Sequence, residues 1–245
     1  MANRGAALVT GGARRIGRAL VAAAADAGFD VAIHVRSADD DAEAAASEVR
    51  ARGRKAQIHA CDLRRESTTV ALVGEVEAEL GPVTLLVNSA SLFEHDAFSD
   101  MNRASWEAHM EINLRAPLVL AQNFARRLPA EHEGLIVNIL DQRVWRPTPD
   151  FFSYSLSKSA LWDATRMMAQ ALAPRIRVNG IGPGPTLASI HQDAEAFAEE
   201  AASTLLQRRV SPADIGHALR YLIDADGVTG QMIAVDSGQH LAWNG

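Results

Sequence analysis

The chain has 245 residues, of which 48% are hydrophobic and 22% are charged, a balance that is typical of a soluble globular protein. Its 24 basic and 30 acidic side chains give a net charge of −6, which argues against a general surface for nucleic acid or for anionic membranes. A chain of this length can bury a large core without disulfides or metals.

Short β-branched runs alternate with longer alanine-rich helical patterns along the chain. The expected strands are 6–10, 30–35, 56–60, 83–88, 135–140, 176–180 and 232–235. The expected helices are 16–27, 40–52, 66–80, 100–128, 154–173 and 212–224. Strands separated by helices need right-handed crossovers, which give a mostly parallel sheet covered on both faces. The sequence therefore predicts an α/β fold, a doubly wound Rossmann-type sheet, in a single domain over 1–245.

Two segments interrupt this alternation late in the chain. The Pro- and Gly-rich stretch 180–187 is expected to be an internal loop. The helical pattern over 186–207 that follows it predicts either a surface helix or a lid that closes over a substrate.

Polar residues follow five of the expected strands. They are Gly11 and Arg15 after the first strand, Arg36 and Ser37 after the second, Asp62 after the third, Asn88 and Ser91 after the fourth, and Asp141 after the fifth. In doubly wound sheets, ligands bind outside the carboxyl ends of the strands. The sequence therefore predicts one long crevice for an extended ligand.

The stretch LVTGGARRIG joins the first strand to the first helix. Backbone N–H groups at a helix start attract a pyrophosphate, and glycines such as Gly11 and Gly17 let the ligand approach closely. Arg15 stands where the usual dinucleotide fingerprint has its middle glycine. Basic residues also crowd this part of the chain: Arg14, Arg15, Arg18 and Arg36. We expect a dinucleotide site, with an ordinary turn and solvated surface charge as the alternatives.

The end of the second strand discriminates between NAD and NADP. NAD enzymes commonly place an acid there to bind the ribose 2′-hydroxyl, whereas an arginine accommodates a 2′-phosphate. Here the residues are Arg36 and Ser37, and Asp39–Asp41 follow. Because an arginine fork matches phosphate oxygens, NADPH is the expected cofactor, unless Arg36 merely pairs with those aspartates.

Tyr154 and Lys158 are spaced i, i+4 and therefore share one face of the expected helix. A lysine cation beside a phenol is expected to lower the tyrosine pKa toward neutrality, which suits general acid–base catalysis. Asp141 precedes them in the chain, and in a dry pocket its own pKa would rise enough to make it a proton donor. An aspartate that simply caps a loop is the alternative.

Further motifs extend from end to end of the chain. They are Thr10-Gly11-Gly12 with Gly17, Cys61-Asp62-Leu63, Asn88-Ser89-Ala90, Asn113 within INLRAP, Tyr154 with Lys158, Pro183-Gly184 and the ending TGQMIAVDSG. In these motifs the chain resembles the short-chain dehydrogenases/reductases. The resemblance implies that Asp62 contacts the adenine, that Asn113 supports a proton relay, and that Lys158 also holds the nicotinamide ribose. It further implies a homotetramer, for which the helices around 116–128 and 154–173 are candidate contacts.

A cofactor site follows from the turn, the arginine and the resemblance together. Its expected members are Gly11, Arg14, Arg15, Ile16, Gly17, Arg36, Ser37, Asp62, Leu63, Asn88, Ser89, Ala90, Lys158, Pro183 and Gly184.

Two residues depart from the usual pattern of this family. Asp141 stands where a serine is usual, and Arg15 where a glycine is usual. Both departures look like the pteridine reductase branch, which pairs an aspartate with the catalytic tyrosine. In that branch a serine binds the pterin and a phenylalanine stacks on it, which implies these roles for Ser91 and Phe93. By its expected position at the pyrophosphate, Arg15 is also a candidate to face the polar edges of such a ring. A core position is the alternative for Phe93.

A charge argument points to the same substrate. An ionised carboxylate beside a developing alkoxide would raise the barrier, so Asp141 suits ketone reduction poorly. Reduction of a C=N bond needs a proton on nitrogen, which a carboxylic acid can pass through Tyr154. The expected function is therefore reduction of a dihydropterin, and possible acceptance of dihydrofolate stays open. The rivals are a carbonyl or 3-oxoacyl reductase of the same fold, and a non-catalytic NADPH sensor.

The histidines and the single Cys61 show no metal-ligand spacing, so no metal is predicted. One cysteine cannot form an internal disulfide, the apolar runs are too short for a spanning helix, and no targeting segment is visible. We therefore expect a cytoplasmic protein without membrane or nucleic-acid partners.

Overall fold

The computed structural model describes residues 3–188 and 192–242. Its strands are β1 Ala6–Thr10, β2 Asp30–Val35, β3 Ala56–Ala60, β4 Val83–Asn88, β5 Gly134–Ile139, β6 Ile176–Pro183 and β7 Met232–Val235. They form one parallel sheet in the order β3-β2-β1-β4-β5-β6-β7. The order reverses between β1 and β4, which is where ligands bind in such sheets.

The helices lie on both faces of the sheet. They are α1 Arg15–Asp26, α2 Asp40–Ala51, α3 Glu66–Leu80, α4 Arg103–Met110, α5 Ala116–Arg127, α6 Phe152–Leu172, α7 Ala194–Ser203 and α8 Pro212–Asp224. One apolar cluster packs α1, α2 and α8 on the sheet, with Leu20 and Leu219 at its centre. The other packs α3 and α5 on the opposite face, around Leu72 and Phe124. The predicted doubly wound α/β fold of Rossmann type is confirmed.

The sheet is longer at β6 than the sequence indicates. The strand continues past Gly180, because Ile181–Pro183 pair with Ile233–Val235 of β7. The expected loop over 180–187 was therefore wrong in its first residues. This extension carries Pro183 and Gly184 to the carboxyl edge of the sheet, where β4 and β5 also end.

The expected single helix over 100–128 is two helices joined by a π-helical segment, Glu111–Arg115. The Ala116 N–H bonds to the Glu111 carbonyl, five residues back. Pro117 has no N–H and cannot bond to the carbonyl of Asn113 four residues back, so a regular α-helix is interrupted there. The interruption puts Asn113 at the irregular turn.

Of the described residues in the segment 186–207, only those of α7 are helical, so the expected helix was too long. The Asp193 side chain accepts a hydrogen bond from the Ala196 N–H and fixes the start of α7. Residues 189–191 of the expected lid lie outside the described residues. Among the residues described, no helix is both long enough and apolar enough to cross a membrane.

Candidate active site

One cavity of about 840 Å³ opens at the carboxyl edge of the sheet, a volume typical of cofactor and ligand sites. The predicted residues that line it are Gly11, Arg14, Arg15, Ile16, Gly17, Ser89, Ala90, Ser91, Phe93, Asp141, Tyr154, Lys158, Pro183 and Gly184. The predicted residues that do not line it are Arg36, Ser37, Asp62, Leu63, Asn88 and Asn113.

The glycine turn is held against the loop after β4. The Thr10 hydroxyl accepts hydrogen bonds from the Ser89 and Ala90 N–H groups at 2.9 and 3.0 Å. Gly11 has φ +64°, and a Cβ there would lie 3.0 Å from the Ala90 Cα. A Cβ on Gly17 would lie 2.0 Å from the Gly11 carbonyl oxygen. Both positions therefore require glycine for close backbone packing.

The N-terminus of α1 is suited to an anion. It has neither a side-chain cap nor an acidic residue in its first turn, whereas α2, α4, α7 and α8 are each capped by a side chain. Backbone N–H groups at the start of α1 are therefore left for a ligand, and the helix dipole favours negative charge there. This end of the cavity fits the pyrophosphate of a dinucleotide.

Arg15 was expected at the pyrophosphate and the substrate ring, and in the free protein its side chain binds backbone carbonyls. Its guanidinium donates to the carbonyls of Leu187 and Ala188, both at 3.0 Å, so it ties the glycine turn to the start of the 186–207 segment. The backbone at Arg15 has φ +52°, which costs a non-glycine residue roughly 1 kcal/mol. That strain explains why a glycine is usual here. Contact with the pyrophosphate or with a substrate ring stays a prediction.

Arg36 is exposed, and no other side chain in the described ranges forms an ion pair with it. Its neighbouring aspartates are taken by Arg14, which binds Asp39 at 2.6 Å and Asp41 at 2.5 Å. The alternative reading, in which Arg36 pairs with these aspartates, is wrong. Arg36 is left available for a 2′-phosphate, whereas Arg18, the other member of the cluster, pairs with Glu48.

Two predicted cofactor residues have partners within the protein. Hydrogen bonds from Arg64 lower the pKa of Asp62 to about 2. Asn88 is buried and donates to the Asn138 side chain at 2.8 Å. Their contacts with the adenine and the cofactor stay predictions.

His34 was missed from the sequence. Its Nδ1 accepts a hydrogen bond from the Gly11 N–H at 3.3 Å, and its Nε2 lies 3.1 Å from the Cys61 carbonyl oxygen. Burial lowers the pKa of His34, which favours the neutral ring that these contacts need. The imidazole thereby links the ends of β1, β2 and β3. No spacing in the sequence reveals this role, because it depends on the register of three strands.

The proton-transfer residues meet at the ends of β5 and α6. The Tyr154 hydroxyl donates to Asp141 Oδ2 at 2.8 Å. Asp141 Oδ1 accepts from the Arg143 N–H at 2.8 Å and so also caps a short 3₁₀ turn. Lys158 Nζ donates to the Ile139 carbonyl at 2.8 Å. Asp141 therefore caps the loop and contacts the phenol at once, so the two interpretations of this residue are compatible.

The expected acidity of Tyr154 was wrong for the free protein. Burial, followed by the negative charge of Asp141 and the hydrogen bond to it, raises the pKa of Tyr154 well above its usual value. Burial also lowers the pKa of Lys158 to about 8, although Asp141 opposes that shift. Burial disfavours the charged phenolate, and the carboxylate adds to this effect because it accepts the phenolic hydrogen and stabilises the neutral phenol. Tyr154 is held here as a protonated donor.

Asn113 is fully buried and organises the loop after β4. Its Oδ1 accepts from the Leu92 N–H at 2.8 Å and from the Ser91 hydroxyl at 3.2 Å. Its Nδ2 donates to the Leu92 carbonyl at 2.9 Å and to Ser157 at 3.0 Å. The side chain thus positions Ser91 and α6, and its part in a proton relay stays a prediction.

Phe93 lines the cavity beside Tyr154 and stacks on a second aromatic ring, a contact that was not expected. Its ring stacks on Phe151 with a centroid distance of 4.1 Å and an interplanar angle of 11°. It also makes an edge contact with Tyr154 at 4.7 Å. Phe93 is therefore a cavity residue, and its stacking on a substrate stays a prediction.

Three polar side chains of the cavity wall were missed. Glu200 of α7 accepts hydrogen bonds from Gln192 at 2.7 Å and from Gln239 at 2.9 Å. These residues come together only through the tertiary fold. In the described part of the chain, no group of three or more His, Cys, Asp or Glu side chains is arranged to hold a metal ion.

The family model for short chain dehydrogenases matches residues 5–199. The chain therefore belongs to the short-chain dehydrogenase family and is an oxidoreductase, as its motifs, its fold and the Asp141–Tyr154–Lys158 site indicate.

Solved structures narrow the comparison. The chain is 47% identical to FolM alternative dihydrofolate reductase 1 from Brucella canis, in complex with NADP, with a TM-score of 0.95 and coverage of 100% of this chain and 97% of that one. It is 34% identical to a blue fluorescent protein from a metagenomic library, in complex with NADPH, with a TM-score of 0.90 and coverage of 97% and 98%. The predicted cofactor agrees with the NADP and NADPH in these structures. The first of these structures supports the predicted branch.

A second relative bears on the alternative function, a carbonyl or 3-oxoacyl reductase. The chain is 26% identical to 3-oxoacyl-[acyl-carrier-protein] reductase from Staphylococcus epidermidis over 96% of this chain and 98% of the relative.

Proposed function

We propose that this protein is an NADPH-dependent reductase of a dihydropterin, which it converts to the tetrahydro form. Reduction of the C=N bond needs a hydride on carbon and a proton on nitrogen. NADPH supplies the hydride when it is bound. The observation that carries the proposal is the 2.8 Å hydrogen bond between Tyr154 and Asp141.

The protein's own residues have distinct parts in this reaction. Tyr154 gives its phenolic proton to the ring nitrogen, and a proton taken up from solvent is returned to the phenolate oxygen through the Asp141 carboxylate. Lys158 stabilises the phenolate as it forms, by its charge. In the free protein Tyr154 is a protonated phenol, hydrogen-bonded to Asp141, and a protonated phenol is the donor that these steps need.

The cofactor is expected to lie along the cavity. The uncapped start of α1 binds the pyrophosphate, Arg36 the 2′-phosphate and Lys158 the nicotinamide ribose. Ser91 and Phe93 face the remaining space, in which a flat ring stacks on an aromatic side chain with a gain of about 1 kcal/mol beyond area burial.

The test replaces the aspartate by the serine that is usual in the family. Asp141→Ser should lose turnover of dihydrobiopterin and dihydrofolate, because no carboxyl is left to supply the proton, while NADPH binding persists. NADPH oxidation measures the turnover, and NADPH fluorescence measures the binding. Wild-type rates in the variant would contradict the role of Asp141.

The carbonyl-reductase rival is tested with the same enzyme. NADPH oxidation by the wild type is measured with simple ketones and a 3-oxoacyl thioester as well as with the two dihydropterins. We expect the wild type to prefer the dihydropterins. A clear preference for the carbonyl substrates would overturn the proposal. NADPH binding without turnover of any of these substrates would favour a sensor.

We also propose a homotetramer in the cytoplasm. The tetramer is supported by the family relationship and by exposed apolar residues on α6, among them Met167, whose side chain is 66% exposed. The location is supported by the single cysteine.

A further inference from the structure

The cavity contains an arginine that the proposed reaction does not use. Arg143 lies two residues after Asp141 and lines the cavity. Its Nη1 atom is buried and has no hydrogen-bond partner among the described residues. Burying a charged donor without an acceptor costs free energy, so an unpaired guanidinium in a ligand cavity indicates an acceptor that arrives with the ligand.

The other lysine and arginine side chains of the cavity already have acceptors. Arg14 binds two aspartates, Arg15 binds the backbone at Leu187, and Lys158 binds the Ile139 carbonyl. Arg143 is different. Within residues 3–188 and 192–242, its side chain makes no hydrogen bond or ion pair, unlike the other three basic side chains of the cavity.

An aromatic pair fixes the position of this guanidinium. Its Cζ lies 5.5 Å from the ring centroid of Phe93 and 5.1 Å from that of Phe151. Cation–π contacts of this kind hold an arginine in place without using its N–H groups. The donors of Arg143 are therefore fixed in position before a ligand binds.

The residues around Arg143 indicate whether it binds the ring of the substrate or the substrate's side chain. Asp141 and Tyr154 serve the reacting nitrogen, whereas the Arg143 guanidinium lies over Phe93 and, at a shorter distance, over Phe151. Phe151 precedes α6 and follows the exposed Asp150. A group that leaves the ring toward solvent would pass along this wall. A planar carboxylate matches the arginine fork with two parallel hydrogen bonds.

Resting on the proposed function, we propose that Arg143 binds a carboxylate on the side chain of the pterin. The substrate class is then dihydropterins with an acidic tail, such as dihydrofolate, in preference to those with a short neutral tail, such as dihydrobiopterin.

The experiment compares the two substrates in Arg143→Gln. The ratio of kcat/KM for dihydrofolate to that for dihydrobiopterin should fall roughly 10- to 100-fold, the value of a charge-assisted hydrogen bond, and mainly through the KM of dihydrofolate. Arg143→Lys keeps the charge without the fork and should retain part of the ratio. Arg146→Gln is the matched control, because Arg146 donates to the Gln239 carbonyl and does not line the cavity.

Each other outcome overturns the inference. An unchanged ratio in Arg143→Gln would show that no tail carboxylate is bound there, and equal losses on both substrates would place the role of Arg143 at the ring or at Tyr154. A wild type that reduces dihydrobiopterin but not dihydrofolate would refute the inference and leave the proposed function standing. A wild type inactive on both would refute the proposed function itself. NADPH binding by each variant confirms that it is folded.

Discussion

Asp141 and Lys158 show how burial sets the chemistry of single residues in this site. Asp141 accepts a hydrogen bond from the Tyr154 phenol, whereas the Lys158 ammonium donates to the Ile139 carbonyl. A Tyr-x-x-x-Lys spacing alone predicts an acidified tyrosine. Burial, together with the added carboxylate, reverses that expectation, because both stabilise the protonated phenol.

The pKa of Lys158 predicts a pH dependence of cofactor binding. This pKa is lowered to about 8 in the free protein, so the ammonium that is expected to hold the ribose loses its proton above that pH. NADPH affinity should therefore fall as the pH rises past about 8, by at most about tenfold per pH unit. Titrations of NADPH fluorescence across this range measure the effect.

The control for this prediction is Lys158→Met, in which affinity is lower and the dependence above pH 8 disappears. A wild-type affinity that stays level across the range would contradict the expected contact between Lys158 and the ribose.

The stability of the free protein should change with pH in the opposite direction. The buried ammonium destabilises the folded protein below about pH 8, and this penalty is lost as the pH rises from about 8 to 10.5, the usual pKa of lysine.

At the scale of elements, Glu200 of α7 hydrogen-bonds residues that lie before and after this helix in the chain. Glu200 accepts from Gln192, which precedes α7, and from Gln239 in the short 3₁₀ helix Gln239–Leu241 that follows β7. Because Gln192 belongs to the predicted lid itself, the hydrogen bond from Gln239 is the one of the two that links the lid to another element. If the segment opens, this contact must break.

Glu200→Ala should therefore increase amide hydrogen exchange in α7. We expect faster exchange over 194–203 by about fivefold, the effect of losing about 1 kcal/mol of hydrogen bonding. The matched control is Glu199→Ala, since Glu199 is exposed and is not part of the cavity wall. Equal exchange in the two variants, measured by mass spectrometry, would show that Glu200 does not hold α7.

At the scale of the whole molecule, the exposed apolar residues of α6 predict an interface. Met167 is 66% exposed on this helix, and a charge placed in an apolar interface would be desolvated without a partner. Met167→Glu should lower the mass measured by light scattering from that of a tetramer to that of a dimer or monomer.

Val70→Glu serves as the control for this experiment. Val70 is 42% exposed on α3, which is not a predicted contact helix, so the tetramer should persist. A wild-type monomer would refute the tetramer outright.

The sequence predicted the order of strands and helices because each has its own periodicity and end signals. The ends of α3 and α8 were predicted correctly, and α8 carries the Ser211 capping box that marks its start. The break before α5 was not predicted, since it depends on the missing N–H of Pro117 and on the packing of Asn113 beneath the loop after β4. Local patterns identify elements better than their interruptions.

The sequence by itself determined the family, the Rossmann-type fold and the residues Asp141, Tyr154 and Lys158, because short-range motifs encode them. Only the tertiary structure decided that Asp141 faces the phenol and that Arg14 and not Arg36 takes the aspartates. It also decided that Arg143 Nη1 is buried without an acceptor in the part of the chain that the structure describes. These facts concern distances between side chains from different strands and helices. Such distances depend on strand register and on which charges are desolvated together, neither of which a linear pattern contains.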